Sequence, residues 1–229
     1  MENLLLKYMG QGLTEVFTQT GISVKPIVTI SREFGCPSKL IAQMLTDAIN
    51  KRAGEHPYKK WKFINKEVLE SAAKEFQLNP SDVKYLLGLG EKGLLEDFLV
   101  SFSSNYVSNL KVKHTLHKVV NTIADTGHVV FVGRGSAAIL HGRQHALHVR
   151  LQAPVEWRAH SVCEMRNIDM MEARRMMEAT DKKRTALFEL ILGRKMDPYI
   201  FDVVFNCSTL TQQQIVGAIT GMMEAREML

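Results

Sequence analysis

Phosphate chemistry asks for positive charge, small residues and backbone amides that converge on one spot, and one stretch of this chain supplies all three. The apolar, β-rich run Ile27-Val28-Thr29-Ile30 leads into Ser31-Arg32-Glu33-Phe34-Gly35-Cys36-Pro37-Ser38-Lys39, after which Leu40, Ile41, Met44 and Leu45 fall at helical spacing. Strand, tight loop and helix in that order aim N–H groups and a helix N-terminus at an anion. Arg32 and Lys39 bring charge to the two ends of the loop. The nucleotide-loop pattern G-x-x-x-x-G-K-[ST] is only partly present, since Gly35 is the one glycine and Pro37 has no N–H to give. Taken alone, the stretch is equally an ordinary strand-to-helix turn of an α/β fold.

Two further groups could meet an anion. Arg134 stands between Gly133 and Gly135 at the end of the apolar run His128–Val132, and a guanidinium fork suits phosphate geometry. The plainer alternative is a salt bridge to a neighbouring loop. Arg174, Asp181 and Arg184 fall on one face of a helix expected over Met170–Leu192, where Asp181 can hold an arginine in place rather than act as a base. Without further support that face reads as solvated charge. Glu33 would repel an anion unless a metal or Arg32 offsets it. Met165, Met170, Met171, Met176 and Met177 read as packing. Asp202, at the start of a strand, has a structural role.

These residues need a scaffold, and the patterning supplies one. Strands are expected at Ile27–Ile30, His128–Val132, Ala146–Leu151 and Phe201–Asn206, and Trp61–Ile64 reads as a short strand or the entry to a helix. Helices are expected over about 2–20, Lys39–Arg52, Lys66–Phe76, Leu94–Leu110, Val112–Thr126, Val155–Arg166 after Pro154, Met170–Leu192 capped by Asp169, and Thr211–Met228. Ser136–Leu140 begins a helix or turn. Gly88, Gly90 and Gly93 imitate a dinucleotide pattern, but no strand precedes them, so they read as a connection between helices. Alternating strands and helices predict a mainly parallel sheet with ligands beyond its carboxyl ends. The Ser31–Lys39 loop and the Gly133–Gly135 turn both lie at that edge.

The 229 residues suffice for one α/β domain. The helix over residues 2–20 reads as an N-terminal extension, 1–25, packed on the body or on a second subunit, the latter making a homodimer. No apolar run would span a bilayer and no secretory pattern opens the chain, so no membrane partner is expected. Three scattered cysteines, Cys36, Cys163 and Cys207, argue against a disulfide framework and for a cytoplasmic, reducing setting. No Cys-x-x-Cys pair occurs, and His145 and His148 lack the partners of a zinc site. The net charge is +5, and Arg134–Lys195 holds the whole excess with 12 basic against 7 acidic residues. Such a patch can hold nucleic acid or a nucleotide. The chain has no Lys/Arg-rich tract with interleaved aromatics, so nucleic acid is the weaker expectation.

Several motifs together resemble the cytidylate kinase-like proteins, a branch of the P-loop nucleoside monophosphate kinases. They are VTISREFG, VVFVGRGSAAIL, LHVRLQAPVEWRAHSV, the D-x-x-R segment from Asp181 to Arg184, and FDVVFNCSTL. The resemblance runs from about Ile27 to the C-terminus and leaves out the first 25 residues and the Gly54–Lys60 insertion. It implies an α/β, three-layer P-loop kinase-like fold over 26–229, with a mainly parallel sheet flanked by helices, a helical acceptor region at about 65–126 and a lid at about 155–195. It implies that Ser31, Arg32, Gly35, Cys36, Ser38 and Lys39 hold ATP, with Ser38 a ligand of Mg²⁺. It implies catalytic roles for Lys39, Arg158, Asp181 and Arg184, and acceptor binding by Arg134, Gly135 and Arg174.

The chain departs from that family in two places. Gly35-Cys36-Pro37-Ser38 stands where kinase-like members usually carry Gly-Ser-Gly-Gly, and Gly135 replaces the acid of a GRD motif. The expectation is phosphoryl transfer from ATP to a nucleoside monophosphate or other small acceptor. The rival is a non-catalytic nucleotide-binding or regulatory protein with a degenerate loop.

Overall fold

The computed structural model describes residues 25–52, 60–64 and 106–229. The expected helices over 2–20, 66–76 and most of 94–110, and the glycine connection at 88–93, lie outside these residues.

Five strands are described: β1 (Ile27–Arg32), β2 (Lys62–Ile64), β3 (Val129–Val132), β4 (Ala146–Gln152) and β5 (Val203–Asn206). They form one sheet in the order β2-β3-β1-β4-β5, and every neighbouring pair is parallel. β1 is the central strand, with Ile27 opposite Val129 on one side and Ala146 on the other. A strand covered on both faces must be apolar on both, and Ile27, Val28 and Ile30 are fully buried.

The described helices are α1 (Ser38–Arg52), α2 (Tyr106–Ala124), α3 (Ser136–Ile139), α4 (Val155–Arg166), α5 (Met170–Leu192) and α6 (Gln212–Ala225). Alternation along the strands sends side chains to two separate cores. Ile27, Val129 and Phe131 pack with Leu116 and Val120 of α2, Ile139 of α3 and Phe188 of α5. Val28, Ile30, Val130 and Leu147 pack with Ile41 and Leu45 of α1 and Ile215 and Ile219 of α6. The result is the expected three layers of helix, sheet and helix. α4 and α5 form a smaller body around Ala159, Val162, Ala173 and Met177. Asp169 caps α5 by accepting from Glu172 N at 2.8 Å, and Thr211 caps α6 in a reciprocal box with Gln214.

Some boundaries move. The expected break between Leu110 and Val112 is absent, because α2 runs unbroken from Tyr106 to Ala124 with no glycine or proline to stop it. β5 starts at Val203, since Pro198–Ile200 forms a 3₁₀ turn capped by Asp197. Asp202 then ties β4 to α6, accepting from His148 N at 2.7 Å and from Arg226 at 2.8 Å. That is the structural role expected of it.

Candidate functional site

The carboxyl ends of β1 and β3 lie side by side, so the loop after β1 and the Gly133-Arg134-Gly135 turn after β3 flank one place. The three turn residues have φ of 74, 57 and 68°. Two glycines are the residues that adopt this conformation without strain. They are also needed for room. A Cβ at position 133 would lie 1.7 Å from Nη1 of Arg32, and one at position 135 would lie 2.1 Å from Cδ1 of Ile191. Gly133 therefore lets the Arg32 guanidinium lie across the turn, and Gly135 lets α5 close against it.

A cavity of about 190 Å³ opens here. Its polar lining includes Arg32, Arg134, Arg150 and Arg184 with Glu33 and Asp181, and Ser31 reaches it from β1. Its apolar wall includes Phe188, Met196 and Phe201. Burial pushes the Arg32 guanidinium down to about 9, and the neighbouring charges of Arg184 and Arg134 add to the shift. Burial likewise lowers Arg184, against the opposing pull of Asp181. Arg184 donates to Arg32 O at 3.1 Å and stacks over Phe34, and Arg150 stacks over Phe201. Four guanidiniums against two carboxylates, among the described residues, make a place suited to an anion.

The loop itself is closed up. Arg158, on α4, is 7% exposed. It donates from Nε to Ala153 O at 3.0 Å, and from Nη1 to Phe34 O at 3.0 Å and to Asp181 Oδ2 at 2.7 Å. Glu33 Oε2 lies 3.3 Å from its Nε and also accepts from Ala153 N. The loop amides are occupied as well. Glu33 N donates to Leu151 O, Cys36 N to Glu33 O and Ser38 N to Cys36 O, while Phe34 N donates to Asp181 Oδ1 at 2.8 Å. Gly35 lies so close to α4 that a Cβ would sit 3.0 Å from Arg158 O, and its carbonyl accepts from Ser161 Oγ.

The expected site residues thus separate. Ser31, Arg32, Arg134, Gly135, Asp181 and Arg184 line one cavity. Arg158 does not line the cavity; it is buried and holds Asp181, which does. Lys39 is exposed on α1 and Ser38 is buried, and neither lines the cavity. Cys36 is buried in hydrogen-bond contact with Cys207, which together with burial pushes its thiol well above the ordinary range. Arg174 pairs with Glu156 at the surface rather than reaching the cavity. Seven residues put it about 10 Å along the helix from Asp181, too far to share a small ligand despite sharing a face.

Sequence reasoning missed Arg150. Its signal was there: a lone arginine near the carboxyl end of a buried strand, opposite Ser31 in the sheet register. Glu33 is ambiguous in the sequence because its partner Arg158 lies far along the chain, on α4.

A parallel α/β sheet with a strand–loop–helix unit on its central strand and an arginine-lined cavity at its carboxyl edge is the architecture of P-loop kinases. The chain belongs to the cytidylate kinase-like family, whose pattern matches residues 27–209. An uncharacterised protein from Eubacterium ventriosum has a similar structure, with 19% identity and a TM-score of 0.62 over 88% of this chain and 99% of that one. Shikimate kinase from Acinetobacter baumannii, solved with shikimate, is similar in fold at 9% identity and a TM-score of 0.50, over 90% of this chain and 97% of that one. None of the curated protein sequences matches the chain.

Membership implies a nucleotide, with Mg²⁺ as its usual companion. The loop as folded does not fit a polyphosphate, because four of its amides are already bonded within the protein and Pro37 offers none. The described residues contain no group of three or more His, Cys, Asp or Glu side chains that could hold a metal. No described helix is long and apolar enough to cross a membrane.

Proposed function

We propose that the chain is a cytidylate kinase-like phosphotransferase, ATP-dependent, that acts on a nucleoside monophosphate or another small acceptor whose anionic group enters the arginine cavity. The observation that carries this reading is the cavity at the carboxyl edge of the sheet, with Arg32, Arg134, Arg150 and Arg184 in its wall. These arginines would bind and orient the acceptor's anionic group, and Phe188, Met196 and Phe201 would cover its less polar part and keep water out. Positioning and charge neutralisation are most of what phosphoryl transfer asks of a protein. The free thiols of Cys36, Cys163 and Cys207 suit work in a reducing cytoplasm.

One observation favours a second reading, a non-catalytic nucleotide-binding or regulatory protein: four of the loop's amides are bonded to the protein's own oxygens.

Heat-unfolding midpoints separate these readings. They are measured with inorganic phosphate, a panel of nucleoside monophosphates, and ATP or GTP with Mg²⁺, for wild type, Arg134→Ala and Lys39→Ala. Binding to the native state raises the midpoint. A rise with a monophosphate that Arg134→Ala abolishes supports the cavity. Consumption of ATP only when that acceptor is present supports the enzyme, and binding without consumption supports the second reading. No rise with any anion sinks both.

A further inference from the structure

The closed loop poses a question that the phosphotransferase reading leaves open. A phosphate-binding loop works through amides that point at an oxygen anion. Here one amide does meet an oxygen anion, but the anion belongs to the protein. Asp181 Oδ1 accepts from Phe34 N at 2.8 Å across 147 residues of chain. The carbonyl of the same residue is held by Arg158 Nη1, which also grips Asp181 Oδ2 at 2.7 Å. Phe34 is thus pinned from both its polar backbone groups by one ion pair, whose members come from α4 and α5.

We propose that Asp181 is the loop's own anion, an autoinhibitory contact: its carboxylate occupies the Phe34 amide in place of a phosphate oxygen, and a polyphosphate enters the loop only when α5 gives that contact up. The inference rests on the reading of the chain as a phosphotransferase with a donor site at this loop.

The surroundings explain how the contact can be stable and still be released. Arg158 loses little when Asp181 leaves, because Glu33 Oε2 lies 3.3 Å from its Nε and the carbonyls of Ala153 and Phe34 stay within its reach. Asp181 is itself shared, with Arg184 3.5 Å from Oδ1 on the cavity side. A carboxylate with cationic partners on both sides can exchange one for the other without being left unpaired. The same residue therefore has a role opposite to the catalytic one that the family resemblance implies. Removing a catalytic aspartate weakens function at the donor site, whereas removing a plug opens that site.

Tripolyphosphate is the probe, since it has the donor's charge and no base. Calorimetric titration should show it binding at least tenfold more tightly to Asp181→Ala than to wild type. Loss of a negative charge from the cavity wall could also favour any anion, so the pair is repeated in an Arg134→Ala background. The gain survives there if the loop has opened and vanishes if only the cavity has become more positive. A vanished gain, or equal or weaker binding by a folded Asp181→Ala, overturns the proposal. Should the variant fail to fold, the wild type decides through the backbone amide resonance of Phe34. That resonance should move during a tripolyphosphate titration with the midpoint seen by calorimetry, and a resonance unmoved at saturation overturns the proposal. If neither protein binds tripolyphosphate, the gate and the donor site fall together. Inorganic phosphate binding that depends on Arg134 would then still stand for the cavity.

Discussion

Two turns at the same edge of one sheet have been put to opposite uses. The loop after β1 is largely bonded to itself and its neighbours: the amides of Glu33, Phe34, Cys36 and Ser38, the carbonyls of Phe34 and Gly35 and the carboxylate of Glu33 meet partners within the protein. The turn after β3 adds Arg134 to a cavity where burial, and after it the charges of Arg184 and Arg134, push Arg32 down to about 9. Polar groups already paired within the protein must break a bond before they can bind a ligand. Groups of like charge held close together are relieved when an anion arrives. The loop thus holds four of its amides within the protein, while the turn adds its charge to a group of guanidiniums that an anion would relieve.

The comparison can be broken at several points. The largest effect is expected at Arg158. Arg158→Met removes the guanidinium that holds the carbonyls of Ala153 and Phe34 and the carboxylate of Asp181, and the loss of these charge-assisted hydrogen bonds should cost about 3 kcal/mol of stability. Urea unfolding measures it, and a cost near zero would mean that the loop is not held from α4. Next, Arg134→Ala or Arg184→Ala should weaken inorganic phosphate binding about 100-fold, as charge-assisted bonds are worth about 1.5–3 kcal/mol. Lys39→Ala, exposed and outside the cavity, should leave that affinity unchanged. Equal losses in all three, read by calorimetry, would erase the distinction between the two turns.

Gly133→Ala should act more gently on stability, at about 1 kcal/mol for the left-handed backbone. Its new methyl group would also move Arg32 off the turn, so phosphate affinity should fall about tenfold. An unchanged affinity would remove Arg32 from the anion site. The smallest effect tests a region away from both turns. His148 is buried with Nδ1 2.8 Å from Thr29 Oγ1, and burial lowers its pKa below the ordinary value, outweighing the pull of Asp202. A depressed folded value means that the stabilisation is complete above the unfolded pKa, about 6.5, and is lost as pH falls through the folded value. Unfolding free energy should therefore drop on going from about pH 7.5 to the acid side of that window. His148→Gln should remove that part of the slope.

The fold was legible because its signals are local. Val155 to Arg166 and Asp169 to Leu192 could be bounded from Pro154, the Asp169 cap and helical periodicity alone. The cavity was half legible: Arg134 is announced by its two glycines and Arg184 by the D-x-x-R spacing, while Arg150 hides in an alternating strand. The closed state of the loop was not legible. Nothing in the WRAHSV stretch marks Arg158 as buried, because its partners Phe34 and Asp181 lie 124 and 23 residues away. Arg174 shares the helix face of Asp181, but its surface partner Glu156, 18 residues earlier on another helix, is not marked in the sequence.

The central position of β1 has a consequence for how the protein comes to exist. β1 is the first described strand to leave the ribosome, yet its two neighbours are Val129–Val132 and Ala146–Gln152. About a hundred residues must therefore be synthesised before Ile27–Ile30 find any partner in the sheet. Contacts so distant in sequence slow folding. The two turns beside the cavity are thus brought together only late, and a nascent chain that stops short of β3 leaves the apolar run Ile27–Ile30 unpaired and open to aggregation.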